Sequence, residues 1–146
     1  MLPEEFILWL APTAQNICRN YDLPASVCIA QGALESGWGR YTIGQFNLFG
    51  RKWNGVANYI EVETEEFYDG KWQTMIGKFQ DYDSLAAAVE DWCILITVES
   101  VYAPCLEYRK EIEKFVGILG PIYATDPEYA AKVLSTIAAN DLTDYI

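Results

Sequence analysis

The chain has 146 residues, enough for one domain with a real core, and 51% of them are hydrophobic with charges mixed throughout. It contains no histidine, which excludes Ser-His-Asp and Cys-His hydrolysis, histidine-based zinc catalysis and two-histidine iron sites. With 21 acidic against 10 basic residues and a net charge of -11, it lacks the basic track that nucleic-acid backbones require, and it does not suit simple adhesion to anionic membranes or wall polymers. A neutral or mixed-charge polymer, held by aromatic stacking and hydrogen bonds, fits better. Proton transfer falls mainly to carboxylates.

Pro3 suits the first turn of a helix running to about Asn20, with Phe6, Leu10, Ala14 and Ile17 on one face. After the break at Tyr21-Asp22-Leu23-Pro24, a second helix is predicted from Pro24 or Ala25 to about Ser36, stopped by Gly37. Glu35 then lies in a last helical turn, where backbone carbonyls disfavour negative charge, among Trp38, Phe49 and glycines. Both settings push a carboxyl pKa upward, as a general acid near neutral pH requires. Residues 37–58, rich in Gly and Asn, read as an ordered functional loop.

The period then changes. Tyr59 to Thr64 alternates, Asp69-Gly70 is a strong two-residue turn signal, and Lys71 to Phe79 returns, so a β-hairpin is expected. Alternation separates Glu61, Glu63 and Glu65 from Glu66, which shares a face with Thr64 and Tyr68. Asp83 or Ser84 caps a third helix through Leu85, Val89, Trp92 and Ile96, and another helix is predicted over about Arg109 to Leu119. Thr125-Asp126-Pro127-Glu128 has the form of a capping box opening a last helix to about Ala139.

The four cysteines at 18, 28, 93 and 105 have no metal-ligand spacing and read as buried thiols, with a Cys93–Cys105 bridge left open. Trp38 reads as a packing anchor. Trp53, Tyr59 and Trp72 are candidate sugar platforms, and Asn47 braces either its loop or a substrate. Met1-Leu2-Pro3-Glu4-Glu5 is acidic where a secretory leader would be basic, and no segment is long enough to span a membrane. Action outside the cell is then expected to use another export route, or the chain is a mature or excised domain. The overall expectation is one α+β domain over 1–146, mostly helical, with a small β-hairpin lobe over a helical body and a cleft floored by Glu35.

The blocks Ala33-Leu34-Glu35-Ser36-Gly37-Trp38-Gly39, Asn47-Leu48-Phe49-Gly50, Thr64-Glu65-Glu66-Phe67 and Tyr123-Ala124-Thr125-Asp126-Pro127 occur in this order. Together they resemble glycoside hydrolase family 73, the peptidoglycan endo-β-N-acetylglucosaminidases of autolysins and flagellar muramidase-type domains. The resemblance implies a lysozyme-like fold and cleavage of β-1,4 bonds in cell-wall glycan strands, at the wall itself (extracellular or periplasmic). It implies Glu35 as catalytic acid, Glu66 as the second glutamate with Glu63 and Glu65 as rivals, and Tyr123 as the tyrosine of the last block. Asn47, Phe49, Trp53, Tyr59 and Trp72 are the residues expected to meet substrate, with no metal or cofactor and with a wall-targeting or delivery partner. Arg51 and Ile122 depart from the family pattern and bear on substrate preference. Lytic transglycosylase or muramidase action on the same polymer, and a wall-binding module without turnover, are the alternatives.

Overall fold

The protein, described here from a computed structural model, is defined over residues 1–56 and 58–146; Ala57, in the loop expected over 37–58, lies outside the described residues. Helix α1 spans Pro3–Asn20 and α2 spans Ala25–Ser36. The hairpin strands are β1, Tyr59–Tyr68, and β2, Lys71–Gln80. They are followed by α3 (Leu85–Val98), the short α4 (Ala103–Leu106), α5 (Ile112–Tyr123) and α6 (Tyr129–Ala139).

Helix α2 is the centre of the body. Almost every residue from Ala25 to Ala33 is buried, because α1 packs on one side and α6 on another. Its interior glycine permits this closeness: a Cβ on Gly32 would lie 3.1 Å from Leu10 and 3.4 Å from Phe49. Gly37 ends the helix at φ 57°, ψ 49°, the left-handed stop expected from its position. The chain turns immediately, and Trp38 packs edge-on against Phe6 with ring centroids 5.7 Å apart. The first helix carries Glu4 and Glu5 in its opening turn and Arg19 in its last, matching the helix dipole at both ends.

The hairpin pairs in register from Tyr59↔Gln80 to Tyr68↔Lys71, closed by Asp69 and Gly70, both at positive φ. That is the backbone a two-residue hairpin turn with right-handed strand twist demands. On β1, Val62, Thr64 and Glu66 are half-buried while Glu61, Glu63 and Glu65 are exposed, as strand alternation predicts. The hairpin is not an isolated flap. Lys52 bridges Phe79, Trp53 N–H bonds the Lys78 carbonyl at 2.9 Å, and Phe79 and Gln80 are buried at its root.

Two helix boundaries differ from the sequence expectation. Residues 107–110 form a turn, and α5 begins only at Ile112, then runs through Pro121 to Tyr123. Pro121 removes one N–H bond from α5, and the helix ends two residues later. Thr125 does not cap α6: the helix starts at Tyr129, and Asp126 Oδ1 accepts the Glu128 N–H at 2.9 Å instead. Thr125 is drawn away by the hairpin, as described below. Ser84 does cap α3, accepting from Ala87 N–H at 3.0 Å. All four cysteines are buried free thiols, and the neighbour of Cys93 is Cys18, Sγ to Sγ 3.8 Å, rather than Cys105.

Candidate active site

A groove runs between the hairpin and the helical body, with Glu35 at its floor. One recess of about 380 Å³ is lined by Glu35, Gly50, Arg51, Lys52, Glu66 and Tyr123, among others. A second, of about 300 Å³, is lined by Glu35, Glu65, Glu66, Trp72, Asp126 and Tyr129, among others. The two share Glu35 and Glu66, so the groove extends to either side of this carboxylate pair.

Glu35 is held in the last turn of α2, facing the groove. Its pKa is pushed up to about 7, first by burial; the Tyr129 hydroxyl, which shares its recess, pulls the other way, and the nearby charge of Glu66 adds a smaller upward push. A carboxyl in this range is protonated in a substantial fraction of molecules at neutral pH and can give that proton up.

Glu66 comes from the inward face of β1. Its Oε2 accepts from the Thr125 hydroxyl at 3.1 Å, and its Oε1 lies 3.9 Å from Lys52 Nζ. The same Thr125 oxygen accepts the Phe67 N–H at 3.0 Å. One hydroxyl from the α5–α6 turn thus fixes both the hairpin backbone and its inward carboxylate.

Tyr123 ends α5 in the first recess. Its hydroxyl donates to the Phe49 carbonyl at 2.6 Å, and its ring stacks on Tyr129 with centroids 5.9 Å apart and planes 4° from parallel. Burial, with Tyr129 and Glu35 nearby, raises its pKa well above the ordinary tyrosine value, so it works as a neutral hydroxyl.

The Asn47-Leu48-Phe49-Gly50 segment is the wall beside the acid. Asn47 is buried, with Nδ2 donating to the carbonyls of Arg51 and Gln80, each at 2.9 Å, and Oδ1 accepting the Arg51 N–H at 3.1 Å. Leu48 and Phe49 are core plugs, Phe49 stacked on Trp92 at 6.2 Å. The side chains of Asn47 and Phe49 are therefore committed to bracing and packing; what Phe49 presents to the groove is its carbonyl. Gly50 stands at φ +67°, and a Cβ there would lie 3.1 Å from Glu35 Oε2. Only glycine both adopts that backbone and leaves room for the acid.

Of the candidate platforms, the structure brings one to the groove. Trp72 is half exposed, lines the second recess and rests edge-on against Phe67 at 5.4 Å. Trp53 and Tyr59 form a tilted pair at 4.6 Å with Lys78 over both rings, and they line neither recess around Glu35.

The sequence singles out Arg51 only as a departure bearing on substrate preference; two further site residues, Thr125 and Tyr129, it does not single out as such. Arg51 lines the first recess while its Nε pairs with Asp91 Oδ2 at 3.0 Å, and Tyr82 bonds the same carboxylate oxygen. Behind Tyr129, Gln31 is fully buried, a lone amide in the apolar run of α2, and that isolation is a signal that it must have a partner. Its Nε2 donates to the Tyr129 hydroxyl at 2.9 Å and its Oε1 accepts from Trp92 Nε1 at 2.8 Å. Among the described residues, no group of three or more His, Cys, Asp or Glu could hold a metal ion.

A helical body, a hairpin across it and a protonatable glutamate beneath define a lysozyme-like glycoside hydrolase fold. Solved relatives have that shape: a peptidoglycan hydrolase mutant from Sphingomonas sp. A1 superposes with TM-score 0.84 at 28% identity, covering 97% of this chain and 96% of that one. The catalytic domain of the Listeria monocytogenes autolysin Auto gives 0.78 at 32% identity, covering 99% and 87%. The chain belongs to the glucosaminidase family, described as mannosyl-glycoprotein endo-beta-N-acetylglucosaminidase, whose profile it matches over residues 11–142. It is 35% identical to an Enterococcus faecalis autolysin over 98% of its own length and 21% of that protein's. With the exo-glucosaminidase LytG of Bacillus subtilis it shares 33% identity, over 96% of this chain and 52% of the relative. The chain thus spans between about a fifth and about half of these curated relatives.

Proposed function

We propose that this chain hydrolyses β-1,4 glycosidic bonds within the glycan strands of peptidoglycan, as an endo-β-N-acetylglucosaminidase acting at the cell wall. The observation that carries this reading is Glu35, a carboxyl raised to about 7 at the floor of a groove that continues on both sides of it. A groove open to either side suits a polymer that threads through and is cut internally. The names of the relatives support it: a peptidoglycan hydrolase for the polymer and an exo-glucosaminidase for the sugar.

Glu35, protonated, donates to the glycosidic oxygen as the bond breaks and positive charge builds on the sugar ring. Glu66 accepts a proton from water attacking the opposite face. The neutral Tyr123 hydroxyl, anchored on the Phe49 carbonyl, presents its oxygen lone pair toward the ring. Trp72 offers an apolar face to a neighbouring sugar.

Digestion of purified cell walls, borohydride reduction and sugar analysis test the proposal. Glucosaminitol at the new ends is the expected product. Muramitol would make the chain a muramidase, a non-reducible anhydromuramyl end would make it a transglycosylase, and binding without new ends would leave only a wall-binding module.

A further inference from the structure

We propose that Gln31 and Trp92, neither of which lines the groove, are positioning residues that aim the Tyr129 hydroxyl proton at Glu35. An indole nitrogen only donates, so the amide atom facing Trp92 at 2.8 Å must be oxygen. A flipped amide would set an NH₂ against an N–H, with both residues at 0% exposure. Gln31 therefore turns its NH₂ toward Tyr129, and the tyrosine oxygen, 2.9 Å away, must accept. A phenol has one proton. With its oxygen receiving from Gln31, that proton is left free for Glu35, whose carboxyl lines the same recess and whose ionised form the Tyr129 hydroxyl favours.

This polarity matters to an acid. A group that can only donate to Glu35 stabilises its carboxylate, so it opposes the upward push of burial and waits for the charge that appears when the proton leaves. A hydroxyl free to turn would lose part of that effect. Glu65, Glu66 and Tyr68 from β1, Tyr102 and Tyr123 from the α3–α5 side, Asp126 and Lys132 beside Tyr129, and Arg51 and Lys52 from the loop wall also line the recesses around Glu35. None of them is altered by the substitutions below.

The inference rests on Glu35 as the acid, and its test does not depend on catalysis. Carboxyl carbon NMR of the full chain, with the Glu35 signal assigned by its loss in Glu35→Gln, follows the Glu35 titration directly. Tyr129→Phe should raise the midpoint. Gln31→Met or Trp92→Phe should raise it by a smaller amount, about 0.3–1 unit, and should add nothing in the Tyr129→Phe background. A shift in either variant that vanishes in that background sustains the proposal. It is overturned if both leave the midpoint in place, or if the shift persists with Tyr129 replaced. A purely structural role would lower the melting temperature without moving the titration. Failure of wall hydrolysis by the unaltered chain would overturn the proposed function and leave this result standing.

Discussion

Gly50 and Glu35 are fitted to each other: the space a Cβ would take on Gly50 lies 3.1 Å from the Oε2 of Glu35. Gly50→Ala meets two penalties, the positive φ of +67° and contact with the carboxylate. We expect a loss of about 1–2 kcal/mol in stability by denaturant unfolding. Turnover should fall further than that stability loss accounts for, because the acid is displaced. Wild-type turnover in a folded Gly50→Ala protein would show that the glycine serves the loop alone.

Glu35→Gln keeps shape and removes the proton. Wall lysis should fall at least about a hundredfold. In the unaltered chain the alkaline limb of activity should fall near the Glu35 pKa of about 7. The stability effect has the opposite sign. A carboxyl raised from 4.5 to about 7 on folding stabilises the fold least once it is ionised, so wild-type stability is lost as pH rises through this window. The Gln variant escapes that loss. Relative to wild type its stability should gain on the order of 2–3 kcal/mol between pH 4.5 and 7 and stay level above, measured by urea unfolding at several pH values.

Thr125→Val removes the hydroxyl shared by Glu66 and the Phe67 amide. The expected cost is about 1–2 kcal/mol of stability and roughly a tenfold loss of turnover, with Thr125→Ser close to wild type. If the valine and serine variants behave alike in both assays, the hydroxyl has no part in holding Glu66.

Tyr123→Phe removes the donor to the Phe49 carbonyl. Stability should drop by about 1 kcal/mol, and kcat by more than about tenfold with little change in KM. A fall in stability with kcat preserved would confine Tyr123 to bracing the wall of the groove.

The elements set by local rules were legible in the sequence: α1 from its proline and apolar face, α2 from its glycine stop, and the hairpin from Asp69-Gly70. Glu66 was separable from its acidic neighbours because strand alternation is strict. What could not be read depends on partners far along the chain. Thr125 looks like a helix cap until the hairpin competes for its hydroxyl, and Tyr129 looks like a first-turn aromatic until Gln31, 98 positions earlier, is placed beside it. Asn47 and Phe49 stand in a recognisable block, yet their side chains turn inward to build the wall.

Because a single oxygen on Thr125 holds both the Phe67 amide and Glu66, the lobe cannot swing outward at this point while leaving its carboxylate in place. Hydrogen–deuterium exchange at the Phe67 amide is therefore a gauge of how often Glu66 leaves its station, readable without substrate. Slowing of that exchange by a bound oligosaccharide would report the groove closing, one amide proton serving as the clock for the whole hairpin.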